Sequence, residues 1–97
     1  MIIVSQDGMS FVDLELTMCV KIVPRHKVAY DIYAICGAAT HLLGTYNSED
    51  DATVILGTIL VNKFKPDHRM FMMPDRGNKY AIDDYRVILE SEGENYE

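Results

Sequence analysis

The stretch from Leu42 to Lys63 constrains the fold more than any other part of the chain. It reads as a strand that stops, a capped turn, and then a long helical pattern. Ser48 is a good helix N-cap, because its hydroxyl can accept from the free N–H groups of the first turn. Asp51 follows three residues later and completes an S-x-x-D variant of the capping box. Glu49, Asp50 and Asp51 place three carboxylates on the positive end of the helix dipole. Ala52, Ile55, Leu56, Ile59, Leu60 and Lys63 then recur at helical spacing and predict an apolar stripe. Val54 and Val61 fall off that stripe, towards a second surface. Gly57 in the helix interior costs about 1 kcal/mol relative to Ala, and close packing on a neighbour is the plainest reason for it. Pro66 blocks continuation of the helix.

The segments before this unit read as strands. Ile2–Gln6 is β-branched and leads into Asp7-Gly8, a pair suited to a tight hairpin. Ser10–Leu14 would be the returning strand. Leu16, Met18, Val20 and Ile22 alternate with Thr17, Cys19, Lys21 and Val23, the pattern of a half-buried antiparallel strand. Pro24 breaks it, and a hairpin about Arg25-His26 would set Val23 beside Val28 and Cys19 beside Ile32. Val28–Cys36 and Thr40–Tyr46 are the next strands, with Leu42, Gly44 and Tyr46 alternating against His41, Leu43 and Thr45. After the helix, Arg69–Met73 predicts a strand and Pro74–Asn78 a turn. Tyr80–Leu89 reads as a further strand through Val87-Ile88-Leu89; a short helix capped by Asp83 or Asp84 is the alternative. The expected fold is α+β: an antiparallel β-meander of roughly five to seven strands with one amphipathic helix packed on one face. Residues 1–90 form a single domain, and 91–97 an acidic flexible tail.

Composition limits the functions open to such a domain. With 48% hydrophobic and 25% charged residues the chain has a globular balance, and its 97 residues support one core. The net charge of −6 argues against direct nucleic-acid binding and against an anionic membrane surface. It favours a protein partner with a basic surface, including proteins that themselves bind nucleic acid. No basic n-region opens the sequence, and no segment approaches the roughly 20 apolar residues of a membrane helix. Cys19 and Cys36 lack a C-x-x-C spacing and read as buried or half-buried thiols of a cytoplasmic protein. His26, His41 and His68 are scattered through a turn, a strand and a loop, without metal-ligand spacing. Neither Cys36 with His41 nor Cys19 with His26 has a third group to orient it. The expectation is therefore a non-enzymatic protein that needs no cofactor or metal.

Two features remain for a binding role. Met70-Phe71-Met72-Met73 should bury one alternating pair and expose the other, and methionine adapts to irregular partner surfaces. The carboxylates at Glu49, Asp50 and Asp51, at Asp83 and Asp84, and from Glu90 through Glu92, Glu94 and Glu97 could imitate the charge of a nucleic-acid backbone. Their plainer role is a solvated, solubilising surface.

Several anchors also carry a likeness. Met1-Ile2-Ile3-Val4-Ser5-Gln6-Asp7, then Leu43-Gly44-Thr45-Tyr46-Asn47-Ser48-Glu49, then Ala52 heading an apolar helix, and Met72-Met73-Pro74 resemble a set of small proteins encoded by phages, prophages and other mobile elements of Gram-positive bacteria. The likeness spans residues 1–74 loosely and is specific at those anchors. It implies a mobile-element accessory protein, for which host interaction or counter-defence is a common role. The expected function is a protein-binding accessory in the host-cell cytoplasm, such as an anti-CRISPR-like inhibitor of a host defence complex acting by occlusion. The expected partner-binding residues are Glu49, Asp50, Asp51, Met70, Met72, Asp83, Asp84 and Glu90, and a homodimer is a further expectation. The alternative is a small-molecule binder or sequestering oligomer for a nucleotide or signal, with a pocket between protomers lined by Tyr30, Tyr33, His41 and Arg69.

Overall fold

The computed structural model describes residues 1–65 and 69–95, so the expectations for Pro66, His68 and the last two tail residues lie outside it. The strands are β1 (Ile2–Val4), β2 (Phe11–Asp13), β3 (Cys19–His26), β4 (Ala29–Cys36), β5 (Ala39–Tyr46) and β6 (Met70–Met72). Two helices, α1 (Glu49–Lys63) and α2 (Lys79–Asn95), complete an α+β fold. The strands form two sheets of three, a mixed sheet ordered β2-β1-β6 and a meander ordered β3-β4-β5.

The expected single meander is thus corrected in two ways. The Met-rich strand does not extend it, but pairs parallel with β1, setting Ile2 beside Met70 and Val4 beside Met72. The segment Tyr80–Leu89 is not a strand but the body of α2. Val87 and Ile88 have strand propensity, yet both are exposed. Ile82, Tyr85 and Leu89, at helical spacing, join the core instead. Tertiary burial of that face overrides the local β preference. The cap is Asn78, whose Oδ1 accepts from the Ala81 N–H at 3.2 Å. Asp83 and Asp84 sit beyond it as exposed helix residues. The helix continues without a break past residue 91, where the acidic tail was expected to begin.

Within the meander the local chemistry shifts the register. Pro24 does not end β3; it lies within the strand, where the pairing slips between Pro24 and His26. An edge strand tolerates the missing N–H. The turn therefore moves to Lys27-Val28, Cys19 stands opposite Ile35 rather than Ile32, and Val23 stands opposite Asp31. Cys19 is exposed and Cys36 half-buried, and both thiols are free. The alternation expected from Leu16 starts only at Cys19, because Leu14–Leu16 forms a 3-10 turn in which the Asp13 side chain accepts from the Glu15 N–H at 3.0 Å. Leu16 and Met18 are consequently exposed. In β5, Ile32 pairs with Gly44 and Tyr33 with Leu42, leaving Leu43 as the extra residue of a bulge. The bulge resets the alternation, and Leu43 and Tyr46 are both buried in the core.

Helix α1 begins as its sequence predicts, with the Ser48 Oγ accepting from the Asp51 N–H at 3.1 Å. Ala52, Ile55 and Ile59 of the expected stripe are buried, and Val54 and Thr58 are buried with them, whereas Leu60 is exposed. The buried face is wider because α1 meets both the meander and α2. At Gly57 a Cβ would stand 3.1 Å from the Leu89 Cδ1 of α2, so the glycine lets the two helices approach. The neighbour that explains Gly57 is therefore a side chain of the same protein. No helix of the described residues is long and apolar enough to cross a membrane.

Candidate interaction surfaces

Three of the four sequence anchors meet at one hydrogen-bonded joint between the sheets. Gln6 follows β1 and reaches the β5 bulge. Its backbone N–H donates to the Leu43 carbonyl at 2.7 Å. Its side-chain Nε2 donates to the carbonyls of Thr45 at 3.0 Å and Pro74 at 3.1 Å, while its Oε1 accepts from the Thr45 N–H at 3.0 Å. The carboxamide thus acts as a surrogate strand residue, satisfying the Thr45 N–H and C=O on the free edge of β5 together with the Pro74 carbonyl. Tyr46 adds a hydroxyl bond to the same Pro74 carbonyl at 2.8 Å, and burial pushes its phenol up so that it stays a donor. Gly44 leaves room for this, since a Cβ there would lie 3.3 Å from the Gln6 Cβ and from the Tyr46 ring. These residues hold the mixed sheet to the meander; their role is positioning.

The eight expected partner-binding residues lie on the two helices and on β6, and Asp50, Asp51 and Asp83 are brought together about Arg86. Glu49, Asp50 and Asp51 occupy the first turn of α1, and Asp83, Asp84 and Glu90 lie on α2. Arg86 ties the two helices together, with its guanidinium 2.7 Å from Asp50 and 3.8 Å from Asp51. The hydrogen bond to Asp50 is the main reason that its guanidinium is held more firmly protonated, and Asp83 and Asp51 add to it. Among the described residues Arg86 is one cation facing three carboxylates, so this end keeps an acidic surplus. Asp50 therefore has a structural contact as well as exposure, whereas Asp83, Asp84 and Glu90 are exposed.

Met70 and Met72 stand elsewhere. Phe71 is buried, and its ring centroid lies 5.7 Å from that of Tyr85, so α2 covers the Phe71 face of the mixed sheet. Strand alternation turns Met70 and Met72 to the opposite face, as the sequence predicted for one pair of the Met-rich run. The register adds companions that the sequence did not reveal. Phe11, Val4 and Met72 form one cross-strand row, and Asp13, Ile2 and Met70 form the next. Phe11 is 69% exposed, Met70 61% and Met72 64%, with Ile2 and Val4 half-buried between them. No reading of β1 alone could find this face, because β6 enters it from beyond the meander and α1.

Two further features stand out among the described residues. A groove of about 310 Å³ runs between the end of α1 and the start of β3, with Leu14, Val20, Leu56 and Ile59 in its walls and Lys63 at its rim. Tyr30, Tyr33, His41 and Arg69 do not line it. Tyr30 and Tyr33 project to opposite faces of β4, and Arg69 adjoins the other sheet, so within one chain these four residues do not converge. On the outer face of the meander Asp31 is 2% exposed and is held by Arg25 at 2.9 and 3.2 Å, by the Thr45 hydroxyl at 2.8 Å and by the Tyr33 hydroxyl at 3.4 Å. Burial acts to raise the carboxyl, but hydrogen bonds from Arg25 and Thr45, the Arg25 charge and the Tyr33 hydroxyl outweigh it and hold the group below its usual range. A lone Asp amid the apolar residues of Val28–Cys36 was the available signal for this network. Comparison with protein-family models, with curated proteins and with solved structures finds no match.

Proposed function

We propose that the protein is a non-enzymatic, protein-binding accessory of a phage or mobile element, acting in the host cytoplasm on a partner with a basic surface. The observation that carries this reading is the acidic surplus around Arg86, where the first turn of α1 meets the acidic side of α2. Carboxylates held on two braced helices form a preorganised negative surface, which favours encounter with a cationic partner over long distance. An inhibitor of a nucleic-acid-binding defence complex would use such a surface by occlusion, excluding nucleic acid from a basic channel.

The test is affinity capture from host lysate, with the wild type beside Asp83→Lys/Asp84→Lys/Glu90→Lys. The expected result is a nucleic-acid-binding protein retained by the wild type, lost by the triple variant, and released near 0.5 M salt, where the Debye length falls to about 4 Å. These positions are exposed, so the variant should remain folded by circular dichroism. No such protein at low salt, or equal retention by the variant, sinks the reading.

A further inference from the structure

We infer that the outer face of the mixed sheet binds a second copy of this chain, so that the protein forms a two-fold dimer through Phe11, Val4, Ile2, Met70 and Met72. This surface is independent of the acidic one, because α2 covers the other side of the same sheet. Three observations select the occupant.

The first is charge. Two copies at net −6 repel each other over most of their surface, so self-association needs a face where charge is sparse. Among the described strand residues, six side chains share this face; five are apolar and Asp13 is the one that is charged. A basic partner would find little here to pair with.

The second is layout. Phe11 lies on one edge strand and Met72 on the other, in the same cross-strand row with Val4 between them. A two-fold axis running parallel to the strands places Phe11 of each copy over Met72 of the other. The contact then forms twice, as an isologous interface requires. Methionine sulfur against an aromatic ring is a favourable pair, and the flexible thioether fills an irregular gap. The same axis sets each Asp13 over a Met70, which keeps the two carboxylates on opposite edges.

The third is area. At about 200 Å² for a side chain of this size, Phe11, Met70 and Met72 together expose roughly 400 Å² of apolar surface. Facing copies would bury roughly 800–1,000 Å² in total once Ile2 and Val4 are included, which suits a dissociable dimer rather than an obligate one. Pairing along the free edge of β6 is a poorer solution. The strand has three residues, and Pro74 offers no N–H at the next outward-facing position.

The experiment is sedimentation velocity over a concentration series up to the millimolar range, on the wild type, Phe11→Lys, Met72→Glu, and an equimolar mixture of the two variants. The wild type should pass from the chain mass to twice that mass. Each variant alone should associate about tenfold or more weakly. The mixture should regain a dimer that salt dissolves, because the introduced lysine of one copy stands over the introduced glutamate of the other. In the wild type, the methyl NMR signals of Met70 and Met72 should shift with concentration while that of Met9 does not, a readout that needs no variant. A wild type that stays monomeric throughout overturns the inference. So do variants that dimerise like the wild type, a mixture that stays monomeric, or concentration shifts at Met9 in place of Met70 and Met72.

Discussion

The two sheets have the same number of strands and are built in opposite ways. The meander joins neighbours in sequence through short turns, and its strands are eight residues long. The mixed sheet has three-residue strands and joins β1 to β6, which lies beyond the meander and α1 in the chain. The meander closes its outer face with its own polar network around Asp31. The mixed sheet leaves its outer face apolar and relies on other elements for support, on α2 against Phe71 and on Gln6 at the edge. A local sheet can supply its own stability, whereas a non-local one repays its loop-closure entropy only once distant elements dock. The same dependence makes the mixed sheet the more adaptable surface.

The largest expected break in this comparison is Phe71→Ala. It removes the ring that packs on Tyr85 and should cost about 3–5 kcal/mol, a large share of the stability of a domain this size. Hydrogen exchange should show β1, β6 and α2 losing protection well before β3–β5. Equal loss in both sheets would mean that they fold as one unit and that the contrast is only geometric.

Gln6→Ala should come next, at about 2–3 kcal/mol, because it strips the side-chain partner from the Thr45 amide and carbonyl and leaves the Pro74 carbonyl with the Tyr46 hydroxyl alone. Chemical denaturation measures the loss, and exchange at the Thr45 amide locates it. A change within about 0.5 kcal/mol would show that water replaces the carboxamide and that the joint is dispensable.

Asp31→Asn should have the smallest effect, about 1 kcal/mol near neutral pH, because Arg25 is largely exposed and regains water when the pair is lost. It also sharpens the contrast through pH. The folded carboxyl lies below its unfolded value of about 3.9, so its contribution is complete above that value. The contribution is lost as pH falls through the folded pKa. Wild-type stability should therefore drop more steeply than that of the variant below about pH 4, measured by urea midpoints. Parallel curves would remove Asp31 from the account of the meander.

The legible parts of the sequence were those whose physics is local. Ser48 and its acidic turn predicted the start of α1, since a cap and a helix dipole need only a few adjacent residues. Val28–Cys36 and Thr40–Tyr46 predicted two adjoining strands through alternation and a Gly-containing turn. The exposed pair in Met70–Met73 followed from period 2 alone. Where the structure departs from the local pattern, a longer-range term outweighs the local one. Pro24 reads locally as a strand end, but an edge position tolerates it. Val87-Ile88-Leu89 suggested a strand, but burial of Ile82, Tyr85 and Leu89 against the core makes the segment helical. The strict alternation of β5 yielded to a bulge, beside a free edge that Gln6 satisfies from outside the meander.

The candidate surfaces divide along the same line. The residue types at Glu49–Asp51, Asp83–Asp84 and Met70–Met72 stand plainly in the sequence, and so does the acidity of the whole chain. Tertiary structure alone decided that Arg86 brings Asp50 and Asp51 together with Asp83, and that Met70 and Met72 lie on the face of the mixed sheet that α2 does not cover. It also decided that Phe11 joins them. The reason is that β1 lies between β2 and β6, a pairing fixed by where α2 and the Gln6 joint hold the chain, and no short-range pattern encodes it.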